Sequence, residues 1–150
     1  KTIERCGFMR NIIPRDTACY CIRVRRAANA LTKFYDKKFE PIQLTISQFS
    51  LLNDIKLLKA CNKSELAICA KLDRTTIIRS LNILREKKLI IEVPGDDHRN
   101  NLIHLTELGK STIAEGRALW EQAQEQIKAA IGLDCIEDLL ETLKKIESLD

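Results

Sequence analysis

The stretch "SELAICAKLDRTTIIRSLNILREKKLI", Ser64 to Ile90, decides how this chain folds. Leu66, Ala67 and Ala70 recur at helical spacing in its first part, and Ile77, Leu81 and Leu84 do so in its second. Between them stands Asp73, whose carboxylate suits the orphan amides of a helix start. The pattern predicts a short helix over 64–72, opened at Asn62 or Ser64. A second helix over 74–88 follows, with Ile77, Leu81 and Leu84 inward and Thr75, Thr76 and Arg79 outward. A four-residue turn, Leu72–Thr75, separates the two.

Upstream, the run after Asp16 carries Cys21, Val24, Ala28, Leu31, Tyr35 and Phe39 at helical spacing, and Pro41 ends it. Thr45-Ile46-Ser47-Gln48 is a capping box opening a helix through Phe49, Leu52, Ile55 and Leu58. Downstream the period changes. Leu89–Val93 reads as a strand, Pro94–Asn101 as a turn and Leu102–Leu105 as the returning strand. Thr106 caps a helix over Glu107–Ile131, about 37 Å long. Gly132 stops it, and Asp134-Cys135-Ile136-Glu137 reads as a capping box for a last helix carrying Leu139, Leu140, Leu143, Ile146 and Leu149.

Two helices on a tight turn followed by a charged hairpin make a winged helix-turn-helix. The fold class is therefore mainly α with a small β-hairpin wing. The 150 residues form one domain, with 45–106 as the winged helix-turn-helix and 16–40 and 107–150 as helical dimerisation segments. Those terminal helices carry more apolar surface than so small a module can cover, so a second copy of the chain is expected to bury it. A two-fold homodimer would present its two reading helices about 34–36 Å apart, one turn of duplex.

Composition bounds the function. Hydrophobic residues are 45% and charged residues 31%, with 5 Gly and 3 Pro, which is neither a disordered nor a disulfide-scaffold composition. No apolar run approaches the length that spans a bilayer, and the N-terminal residues lack a signal-peptide core, so a cytoplasmic protein with reduced thiols and no membrane partner is expected. The net charge of +4 is unevenly spread: residues 1–40 carry +6, residues 41–106 +3 and residues 107–150 −5. A basic front and an acidic tail suit a polyanion on one side of the molecule.

The motifs now join. "SELAICAKLDRTTIIRSLNILREKKLI" with "DDHRNNLIHLTELG" resembles the MarR (multiple antibiotic resistance regulator) family of bacterial transcription factors. Glu65-Leu66-Ala67, Leu72–Arg79, Asp97-His98-Arg99 and Leu105–Gly109 match the family's elements. Ile78 stands where a Thr is common, and Glu92 where an Arg often lies. The resemblance implies a sequence-specific regulator of double-stranded DNA, reading a pseudo-palindromic operator as a homodimer, typically a repressor. Arg74, Thr75, Thr76 and Arg79 are then the major-groove contacts, and Asp97 and Arg99 the wing contacts. On a lone amphipathic helix Arg74, Arg79 and Arg99 would read as solvated surface charge; with caps, turn and wing in register, duplex binding is the expectation.

"TACYCIRVRR", Thr17 to Arg26, sets two thiols beside three guanidinium groups. The segment "CIRVRRAANALTKFYD" resembles the first helix of the organic-hydroperoxide-resistance branch of the family. Aligning Tyr35 puts Cys21 on the branch's reactive cysteine, while Arg25 and Ile46 stand where it has further tyrosines. As neighbours i and i+2 on a helix, Cys19 and Cys21 point about 160° apart and cannot bridge one another. Redox sensing by Cys19 or Cys21 with Cys6 or a partner thiol as resolver, simple packing, and binding of a soft metal ion all remain open. Packing is the expectation for Cys61, Cys69 and Cys135. The family resemblance implies a small aromatic acid as effector, whose carboxylate Arg23, Arg25 or Arg26 could receive, and the same arginines could equally pair with the acidic tail helices. His98 and His104 form no zinc-ligand spacing, and no cofactor is expected.

Two other classes compete. A thiol-based redox enzyme would want a CxxC pair or a nucleotide-binding glycine loop, and neither is present. A helical protein-interaction module on a winged scaffold would explain Ile78 and Glu92 as lost duplex contacts.

Overall fold

A computed structural model of the chain describes residues 19–95 and 101–149. The chain forms two compact units, Lys1–Lys33 and Phe34–Asp150. Helix α1, Tyr20–Phe39, supplies the described part of the first unit and the entry to the second. The expected cap at Asp16 lies outside the described residues. A single 3-10 turn, Glu40–Ile42, follows with Pro41 in it, so the proline ends the helix as expected.

The helices of the second unit begin where their caps dictate. Helix α2, Ile46–Leu58, starts on a complete capping box. The Gln48 amide donates to Thr45 Oγ1 (3.2 Å) and the Thr45 amide to Gln48 Oε1 (3.2 Å). Helix α3, Lys63–Ala70, starts on a second box, with Asn62 Oδ1 accepting from Ser64 and Glu65, and Glu65 Oε2 accepting from Asn62. Asn62 is thus the cap, and Ser64 lies inside the helix. Helix α4, Arg74–Glu86, follows after Lys71–Asp73. The turn is three residues rather than four, because Lys71 takes a left-handed φ of 52° and closes α3 early.

The wing is one residue out of the expected phase. Strand β1, Ile90–Pro94, pairs antiparallel with β2, Asn101–Leu105, in the register Ile90 to Leu105 and Pro94 to Asn101. Leu89 belongs to the turn: its amide donates to the Leu84 carbonyl (3.0 Å) and its carbonyl accepts from Thr106 (3.1 Å). A third backbone segment joins at Cys61, which exchanges hydrogen bonds with Ile103 (2.8 and 3.4 Å) just before α3 begins. The core beneath is aliphatic, built from Leu52 and Ile55 of α2, Leu66 of α3, Ile77, Leu81 and Leu84 of α4, and Ile90 and Ile103 of the hairpin.

Helix α5, Glu107–Ile131, has the bounds read from the sequence, with Thr106 Oγ1 accepting from the Gly109 amide (3.0 Å). Gly109 is required by crowding. A Cβ there would run into the Leu89 carbonyl oxygen. Helix α6, Leu133–Glu147, corrects one expectation: Gly132, at φ 91°, occupies the cap position, no side chain caps the helix, and Asp134 lies in its first turn. Leu139, Leu140, Ile146 and Leu149 are all exposed in the single chain. Among the described residues no helix is long and apolar enough to cross a membrane.

Candidate nucleic-acid interface

The first turn of α4 is built on Asp73. Its carboxylate accepts from the Thr76 amide (2.9 Å) and from the Thr76 hydroxyl (2.6 Å). The Thr76 hydroxyl and amide hold the Asp73 carboxyl below the usual carboxylate range. The cap is therefore ionised, and it fixes both donors of Thr76. What remains on the outer face is the hydroxyl of Thr75, the acceptor side of Thr76 and the guanidinium groups of Arg74 and Arg79, all exposed. The structure thus brings four of the expected contacts onto one and a half turns of helix. Asp97 and Arg99 lie outside the described residues.

Sequence reasoning flagged Glu92 only as a departure from the family pattern; folded, it is a hub. The side chain is 11% exposed. Oε2 lies 3.0 Å from Lys63 Nζ, at the first residue of α3, and Oε1 lies 3.2 Å from Arg85 Nη1 in the last turn of α4. Arg85 also donates to Asn82 Oδ1 (2.7 Å). Burial pushes the Glu92 carboxyl up, but hydrogen bonds from Lys63 and Asn101 and the charges of Lys63 and Arg85 outweigh it. The net pKa lies below the ordinary value. One carboxylate thus ties the first wing strand to both reading-head helices. Its partners lie 29 residues before it and 7 before it, a convergence that only the fold reveals.

The thiols separate by environment. Cys19 precedes the first residue of α1 and its carbonyl accepts from the Arg23 amide (3.2 Å). Cys19 and Cys21 are free thiols and exposed in the single chain. Cys6 lies outside the described residues. Cys61 is buried, and burial, aided by the nearby Glu65, Cys69 and Asp54, pushes its thiol up to about 11. That suits an inert packing residue. Cys69 and Cys135 are exposed in the single chain, so neither packs within it. Among the described residues no group of three or more His, Cys, Asp or Glu side chains is placed to hold a metal ion.

A cavity of about 760 Å³ opens between α2 and α5, with the end of α1 at its edge. Tyr35, Ile46, Phe49, Ile113 and Trp120 give it an apolar, aromatic lining, while Lys56 and Arg117 bring cationic groups. The Tyr35 hydroxyl donates to Gln124 Oε1 (2.9 Å), and burial raises its pKa. The Ile46 amide is held by Asp36 Oδ1 (2.8 Å). Gly116 lets α5 approach α2 here, since a Cβ would strike the Phe49 ring. Every lining residue belongs to the second unit, whereas Arg23, Arg25 and Arg26 belong to the first. Lys56 and Arg117 are 61 positions apart and carry no shared motif, so the sequence offered only two ordinary helix charges.

No family model matches the sequence. Solved structures do. The chain is 32% identical to the M. tuberculosis transcriptional regulator MosR in complex with DNA, over 86% of this chain and 96% of that one, with a TM-score of 0.74. It is similar in fold to the transcriptional repressor CouR bound to p-coumaroyl-CoA (22% identity, 88% and 94% covered, TM-score 0.81). It is similar also to apo MarR from E. coli (20% identity, 87% and 98% covered, TM-score 0.71). With a helix-turn-helix, a paired wing and long flanking helices in the order these regulators share, the chain belongs to the MarR family of winged helix-turn-helix transcriptional regulators.

Proposed function

We propose that this chain is one subunit of a homodimeric regulator that reads double-stranded DNA, acts as a repressor and is released by an effector. The observation that carries it is the Asp73-capped start of α4, which sets Arg74, Thr75, Thr76 and Arg79 together on the surface beside a paired wing. The likeness to MosR in complex with DNA supports it. In this reading Thr75 meets a phosphate or a base edge, Thr76 accepts from a donor on a base edge, Arg79 reaches a guanine edge or a phosphate, and Arg99, oriented by Asp97, enters a minor groove. The exposed apolar residues of α6 support a second copy of the chain as the partner that covers segments 16–40 and 107–150.

The test is selection of bound duplex from random DNA, followed by titration of the Arg79→Ala variant. The homodimer loses one contact in each half-site, so binding should weaken, and if both contacts are to phosphate the slope of log affinity against log salt should fall by about two. An enzyme or a protein adaptor on this scaffold would enrich no duplex and would be indifferent to Arg79.

The cavity favours one effector class over the others. Aromatic walls with Lys56 and Arg117 in the lining suit an amphipathic aromatic acid, its ring against Phe49 and Trp120 and its carboxylate toward Lys56 or toward Arg117, which it would share with Glu121. Relief by thiol oxidation at Cys19 or Cys21 is the second route, supported by their exposure in the single chain. Peroxide treatment of Cys19→Ser and Cys21→Ser variants in a DNA-shift assay separates the two. Oxidised wild type holding its operator as tightly as reduced protein eliminates the thiol route.

A further inference from the structure

Ile78 lies in the second turn of α4, and 40% of its surface is exposed. It is absent from the residues that form the core and from those packed against it. A β-branched side chain gains nothing from helix propensity at such a position, where Lys, Gln, Arg or Ala would favour the helix more. Helical spacing sets it between Arg74, one turn before, and Asn82, one turn after, with Thr75 and Arg79 in the adjoining row. Its neighbours on this surface all offer hydrogen bonds. Ile78 offers methyl groups alone.

In the major groove the thymine 5-methyl is the feature that an apolar side chain recognises. Elsewhere on the base edges, amino and carbonyl groups facing Ile78 would lose water and gain no partner. We propose that Ile78 is a specificity-determining residue that packs on a thymine methyl, so that each half-site carries a T·A pair at the position it faces. This rests on duplex binding as proposed above and deepens it. The substitution that looked like a weakened contact is a change of the base being read.

Deoxyuridine tests this by removing the methyl and keeping every hydrogen-bonding group. The selected duplex is remade with deoxyuridine at each thymine in turn, and affinities are compared for wild type and Ile78→Ala. At one thymine position, wild type should lose about fourfold for each half-site substituted, the worth of one buried methyl. Ile78→Ala should be indifferent at that position, with its salt slope unchanged, since the residue carries no charge. A wild type indifferent to deoxyuridine at every position overturns the assignment, as does a penalty that persists in Ile78→Ala or a half-site without a T·A pair. Failure to enrich any duplex overturns duplex binding itself and takes this assignment with it, a distinct result from indifference to the methyl.

Discussion

Glu92→Gln keeps the shape of the side chain and removes the charge that Lys63 and Arg85 share. Two charge-assisted hydrogen bonds in a dry site would each contribute about 1.5–3 kcal/mol. Lys63 and Arg85 are not dry: their side chains are 34% and 52% exposed, so both recover hydration when the carboxylate goes. Exposed pairs contribute about 0.2–1 kcal/mol. With the carboxylate itself nearly buried, about 1 kcal/mol for each bond is the reasonable middle, or roughly 2 kcal/mol in all. Urea denaturation at fixed protein concentration should therefore move the midpoint down by about 1 M, and heating should move it down by about 4–8 °C. The sign with pH follows from the lowered pKa of Glu92. Its contribution is complete above the unfolded carboxyl value, near 4.3, and is lost as pH falls through the folded value. The gap between wild type and variant is wide at pH 7 and closes in strong acid. Coincident midpoints at pH 7, or a gap as large at pH 3, would refute the proposed role of the ion pairs.

Three further outcomes are expected. Gly109→Ala should destabilise by about 2 kcal/mol in thermal or urea melts, although Ala is the better helix former, because the Leu89 backbone cannot yield to the new Cβ. Lys88→Gly should stabilise by about 0.5–1 kcal/mol in the same assay, since Lys88 holds a left-handed φ of 59°. A Lys56→Met, Arg117→Leu variant should bind a naphthoate-type acid at least about tenfold more weakly by calorimetry, with the loss confined to acids and absent for the uncharged amide.

Much of the architecture was legible because its helix starts are written in short-range chemistry. Thr45 with Gln48, Asp73 and Thr106 each cap the helix expected of them, and Ile77, Leu81 and Leu84 take the buried stripe. Near α6 the local signals conflict: Gly132 and Asp134 both suit a cap, and the positive φ of the glycine decides the entry. Thiol burial was illegible for a different reason. Cys61 is buried because it pairs with a strand 42 residues away, whereas Cys69, on the neighbouring helix, faces out. The reading surface came from one helix and so from one stretch of sequence. The Glu92 hub and the cavity are made by elements distant in the chain, and their residues carry no local mark.

The backbone exchange between Cys61 and Ile103 fastens the returning wing strand to the residue just before the Asn62 cap. A hairpin anchored at its root in this way cannot swing like a hinged flap. A displacement of the α2–α3 connection would therefore carry the returning wing strand with it.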